Sequence, residues 1–136
     1  MIVTLKELNN CLQQLEERRA CENQVRLFER LFGEQVKVTK ALCLKHANDF
    51  RFEWAALYLL SPLAQAEYEK LMKPARAKTQ QAMVKGCAAP TLHQFKKAMK
   101  AVITNHDKAE AVAFWAASKM QDEQEKLNGL MREDRQ

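Results

Sequence analysis

Glycine and proline are scarce in this chain, three of each in 136 residues. Sheet proteins need turn residues at short intervals and draw on Val, Ile and Thr for their strands. The shortage, set beside abundant Ala, Leu, Lys, Gln and Glu, argues against a β fold and predicts an all-α one. It also argues against a glycine-rich loop that cradles phosphates. No apolar run approaches the roughly eighteen residues of a membrane span, the longest being the seven from Trp54 to Leu60. The N-terminus lacks a basic start, an apolar core and a small-residue cleavage site, because Lys6, Glu7 and two asparagines arrive too early for a signal peptide. A cytoplasmic protein without a membrane partner is therefore expected. Four cysteines (Cys11, Cys21, Cys43, Cys87) include no Cys-x-x-Cys pair and are expected as thiols.

Acidic residues are missing from one long stretch. From Lys70 to His106 there are eight basic residues and no Asp or Glu, whereas Met1 to Glu69 has 9 Lys/Arg against 10 Asp/Glu and Asp107 to Gln136 has 5 against 7. The net charge of +5 thus has a single address. Solvated helices ordinarily mix signs to gain pairs at i,i+4 spacing, so an acid-free segment of this length points to an anionic partner.

The expected architecture is one domain, a compact bundle of roughly five to seven helices. Long N- and C-terminal helices would surround a buried central helix at about 50–60, and 132–136 would form a frayed charged tail. Thr4 and Glu7 form a capping box that opens the first helix. Leu5, Leu8, Leu12 and Leu15 and then Val25, Phe28, Leu31 and Phe32 form two apolar stripes that Gly33 ends. The polar residues between the stripes allow either one long helix or two shorter ones, and Arg18, Glu22 and Arg26 at i,i+4 spacing favour one. Val36 to Thr39 is short and can be extended. Lys40 to Ala47 reads as a helix, Asn48 and Asp49 as a turn, and Phe50 to Leu60, apolar on every side, as the core helix.

Ser61-Pro62 starts a further helix, which Pro74 is expected to break, and Gly86 closes the piece after it. Thr91 and Gln94 cap an amphipathic helix to about Thr104. At 100° per residue, His93, Lys96, Lys97 and Lys100 lie on one of its sides and Leu92, Phe95, Met99, Val102 and Ile103 on the other. Asp107 and Glu110 are expected to cap a last helix that Gly129 ends.

The basic row His93, Lys96, Lys97 and Lys100 is the leading candidate site, widened by Lys70, Lys73, Arg76, Lys78 and Lys85 if the fold gathers them. A single Arg in the segment favours contacts to the phosphate backbone over base reading. A helix-turn-helix over Val38 to Leu60 is disfavoured against a buried αα-hairpin, because Trp54 to Leu60 has no polar face to offer a groove. Cys43, His46, Cys87 and His93 match no strong zinc spacing. The order His46, His106-Asp107, Asp122 resembles that of the metal-dependent HD phosphohydrolases over four residues without surrounding motif, and it supports no family assignment. Nucleophiles with a partnered base and paired carboxylates at recognisable spacing are absent, so neither an enzyme nor a cofactor is expected. Of the adjacent pair Phe114 and Trp115, helix geometry allows only one to point into a core, which leaves the other as a surface anchor.

The reading that follows is a small non-enzymatic nucleic-acid-associated accessory or regulatory protein that binds the backbone of DNA or RNA. The alternative is an adaptor or inhibitor that meets an acidic partner protein, or a second copy of itself, through helix packing.

Overall fold

The computed structural model describes residues 1–13 and 18–134, and the class is all-α, with a long C-terminal helix. Contacts group the chain into two units, Met1–Thr39 and Lys40–Gln136.

The first unit is a pair of helices closed by a short ladder. Strand β1 (Ile2–Thr4) leads into α1 (Leu5–Gln13), and α2 (Arg18–Phe32) leads into β2 (Gln35–Lys37). The strands pair antiparallel with Val3 opposite Val36 and Thr4 opposite Gln35. The Leu5 amide donates to the Glu34 carbonyl at 2.7 Å, so the start of α1 and the end of α2 are neighbours. That closure decides between one helix and two, since a single helix from Leu5 to Phe32 would hold its ends about 40 Å apart at 1.5 Å per residue. Leu8, Val25 and Phe28 are buried between the helices. Leu15 and Glu16, which belong to the stripe and polar stretch read from the sequence, lie outside the described residues. The capping box forms with one change: the Glu7 amide donates to Thr4 Oγ1 at 3.2 Å, but the Thr4 hydroxyl, rather than its amide, donates to the Glu7 carboxylate. The Thr4 residue belongs to the ladder, which takes its backbone elsewhere. Gly33 stops α2 in the left-handed region, at φ 73°, where other residues are strained.

The second unit is built on a helical hairpin. Helix α3 (Lys40–Lys45) and α4 (Phe52–Leu59) precede α5 (Pro62–Cys87), which turns back over four residues into α6 (Leu92–Asp134). Helix α5 lies along α6, while α3 and α4 both pack on α6 more than on one another, so the αα-hairpin expected over this region does not form. The turn between α3 and α4 is tied by His46 Nδ1 to the Asp49 carboxylate at 2.9 Å. Ser61 caps α5 by accepting from the Ala64 amide, and Pro62 occupies the first helical position. Gln65 then donates from Nε2 to the Leu57 and Leu60 carbonyls, which satisfies the end of α4.

Three breaks expected from the sequence are absent. Helix α5 passes through Pro74. Loss of the Pro74 donor removes one bond, and packing of α5 along α6 on either side of it holds the helix together. Helix α6 passes through Thr104 to Asp107 without interruption, because no Pro or Gly occurs from Thr91 to Asn128 and Val102, Ala111 and Phe114 anchor both sides of the expected gap. Gly129 does not end α6, which runs to Asp134. A glycine in a helix interior costs only about 1 kcal/mol, and Lys126, Leu127, Leu130 and Met131 around it are good helix formers.

The core also shifts. Ala64, Tyr68 and Met72 on α5 and Ala111, Phe114 and Ala117 on α6 are 0–3% exposed. Helix α4 is buried only along Phe52, Ala56 and the following Leu60, with Leu57 60% exposed. Alanines at the crossing allow α5 and α6 to approach closely, and an eight-residue helix cannot be surrounded by such a pair. Phe114 points inward, its ring 5.5 Å from that of Phe52. Trp115 is the outer member of the pair and lies under two cations, Lys40 and Lys119 Nζ, at 5.5 and 5.6 Å.

Candidate nucleic-acid interface and interhelical groove

All nine basic candidates stand on the α5–α6 hairpin, and the fold divides them. His93, Lys96, Lys97 and Lys100 are exposed along the first turns of α6. They occupy the side opposite Ala98 and Val102, which face α5. Ion pairs with carboxylates are absent from these four among the described residues. Their shared direction, expected from helix geometry, is reproduced. The apolar arc opposite them is narrower than expected, since Phe95, Met99 and Val102 pack but Leu92 is 68% and Ile103 59% exposed. A single neighbouring helix covers less of a cylinder than a bundle would.

The basic residues of α5 do not join that row. Lys70 and Lys73 lie on the side of α5 turned away from its buried stripe of Ala64, Tyr68 and Met72. Arg76 is half-exposed and engaged. It makes two hydrogen bonds to the Glu69 carboxylate, at 2.6 and 3.2 Å, and reaches Glu53 of α4 at 3.6 Å. The Arg76 guanidinium holds the Glu69 carboxyl below its ordinary range. An acid one residue outside the basic stretch has therefore neutralised one of its charges.

Lys78 and Lys85 stand on a third surface, beside a groove between the two helices with a volume of about 790 Å³. Its walls are small: Ala75, Ala82 and Gly86 on α5 and Ala98, Ala101 and Ala109 on α6. At Gly86 the helices approach so closely that a Cβ would collide with the Met99 methyl. The polar part of the groove is a chain across the hairpin. Thr79 Oγ1 donates to the Ala75 carbonyl at 2.9 Å and lies 2.8 Å from His106 Nδ1. His106 Nε2 is 3.0 Å from the Glu110 carboxylate. Burial raises the Glu110 carboxyl above its ordinary range, against the opposing pull of His106. Since the Thr79 proton is committed to its own helix, the hydroxyl accepts from His106 and the chain acts as an interhelical clasp.

Sequence reasoning missed the groove and the clasp, although Ala75, Ala82 and Gly86 at i, i+7 and i+11 are a visible sign of a small-residue stripe on α5. Of the adjacent pair His106-Asp107, His106 is occupied by Thr79 and Glu110. Among the described residues, no group of three His, Cys, Asp or Glu is placed to hold a metal ion. Cys43 is buried, which pushes its thiol up to about 11, while Cys87 is exposed.

The fold defines this chain as an all-α protein whose second unit is built on a helical hairpin. It matches no protein-family model, no curated protein and no solved structure. Among the described residues, no helix is long and apolar enough to cross a membrane.

Proposed function

We propose that this chain is a small non-enzymatic nucleic-acid-associated accessory protein that contacts a phosphate backbone through the first turns of α6. The observation that carries this reading is the exposed row His93, Lys96, Lys97 and Lys100, which no carboxylate neutralises among the described residues. Cations spaced along one helix side can follow successive phosphates without reading bases. Lys70, Lys73, Lys78 and Lys85 strengthen the field at longer range but lie on other surfaces.

About three to four phosphate contacts predict that log K falls against log salt with a slope of about −3 to −4 on a duplex. The triple substitution Lys96→Glu, Lys97→Glu, Lys100→Glu is expected to abolish binding to DNA and RNA while the helical circular dichroism is unchanged. Absence of any mobility shift by the wild-type protein at low salt rejects the reading.

A second reading, helix packing against a protein, is supported by other features. The α5–α6 groove is lined by small residues, and Leu127, Leu130 and Met131 at the end of α6 are more than half exposed.

A further inference from the structure

Helix α6 is much longer than the helix it pairs with. At 1.5 Å per residue its 43 residues span about 64 Å against about 39 Å for the 26 of α5. The hairpin ends where the Ser61 amide donates to Gln121 Oε1 at 2.8 Å, so the residues beyond Gln121 project about 20 Å past the start of α5. Every residue from Glu123 to Arg132 is exposed. A solvated helix end should be polar all round, yet this one carries Leu127, Leu130 and Met131 at 52, 61 and 52% exposure. Their i, i+3, i+4 spacing makes one stripe, with Glu123 one turn before it on the same side.

The same chain offers a surface that fits this stripe. The groove follows α5 from Leu71 to Gly86, about 22 Å, and Ala75, Ala82, Ala98 and Ala101 leave room along it for the large side chains of another helix. Its charge is opposite to that of the start of the projecting end. Lys78 and Lys85 flank it within the acid-free stretch, while Asp122, Glu123 and Glu125 open the end of α6 with one base, Lys126, beside them.

We propose that the projecting end of α6 docks in the α5–α6 groove of a second copy, and that the two copies do so reciprocally in an antiparallel dimer. A helix laid parallel to α5 brings Glu123 beside Lys78 when Leu127 lies over Ala82, and Leu130 then falls level with Lys85, next to the Met99 methyl that covers Gly86, because both helices rise equally per residue. The arrangement closes. The middle of the groove and the apolar end are about 35 Å apart along α6, so one two-fold axis seats both ends at once and leaves no site for a third copy. The row His93, Lys96, Lys97 and Lys100 stays on the outer side of each copy, so the dimer does not depend on the nucleic-acid reading.

Sedimentation equilibrium of the full chain tests this, with circular dichroism as a control for folding. The wild-type protein is expected at twice the chain mass, and Leu127→Glu with Leu130→Glu, both exposed in the isolated chain, at the chain mass with helicity unchanged. Lys78→Glu and Glu123→Lys each remove two ion pairs from the reciprocal dimer and should weaken it by about 25-fold at low salt, about five-fold for each exposed pair, and the combined swap should restore it. A monomeric wild type overturns the proposal, as does a dimer indifferent to the leucine substitutions. Failure of the double swap to recover affinity overturns the register.

Discussion

Replacing Tyr68 by Phe should make this protein more stable, against the usual direction of a core substitution. Tyr68 is 2% exposed at the crossing of α5 and α6, and its hydroxyl has no hydrogen-bond partner among the described residues. A buried hydroxyl without a partner costs about 1–3 kcal/mol in desolvation. Phe keeps the ring and its packing and removes only the oxygen, so a net gain of about 1 kcal/mol is expected, allowing for the small void left behind. For a chain of this size that corresponds to a melting temperature higher by about 3–5 °C, which circular dichroism melts or urea titrations resolve.

The same hydroxyl predicts a pH signature. Burial, followed by the negative field of Glu110 and Glu53, raises the Tyr68 phenol far above its ordinary value. The unfolded chain releases this proton near pH 10 and the folded chain retains it, so the unfolded state is increasingly favoured above that pH. The advantage of the Phe variant should widen by up to about 1.4 kcal/mol per pH unit above roughly pH 10. A variant less stable than wild type by about 1 kcal/mol at neutral pH, with no widening in alkali, refutes the reasoning and implies a hydrogen-bond partner such as a buried water.

Other substitutions test other parts of the fold. Phe114→Ala, which removes a 3% exposed ring tilted against that of Phe52, should cost about 3–5 kcal/mol in urea unfolding. Pro74→Ala restores a donor in the interior of α5 and should stabilise the chain by about 1–3 kcal/mol; a loss of stability would mean that the proline ring is needed where it lines the groove. Because burial raises the Glu110 carboxyl, its contribution is greatest at acid pH and is lost as pH rises through its folded pKa, above the ordinary range near 4.3. Urea midpoints measured from pH 4 to 7 should therefore vary less for Glu110→Gln than for wild type, and superimposable profiles would contradict the buried clasp.

The capping residues and the basic row were legible because both are local. Thr4, Ser61 and Thr91 each cap a neighbour three residues ahead, and the direction of Lys96, Lys97 and Lys100 follows from helical rise and turn alone. Expected breaks at Pro74, Asp107 and Gly129 failed for the converse reason. Propensity assigns a cost of about 3 kcal/mol to Pro74, about 1 to Gly129 and less than about 1 to Asp107; packing of α5 along α6 exceeds it at Pro74 and Asp107, while the exposed Gly129 adds a cost small enough for the helix on either side to carry.

By itself, the sequence determined the helical class, the start of α1, α5 and α6, and the concentration of positive charge between Lys70 and His106. These depend on composition and on residues within one turn of each other. Tertiary structure alone decided that Arg76, paired along its own helix with Glu69, also reaches Glu53 of α4, that Lys78 and Lys85 border an alanine-lined groove while the α6 row faces away from it, and that His106 joins Thr79 to Glu110. The groove, the outward row and the clasp turn on the rotation of α5 against α6. That rotation is set by close approach at Gly86 and by burial of Tyr68, Met72 and Phe114 together, which no periodicity within one helix encodes.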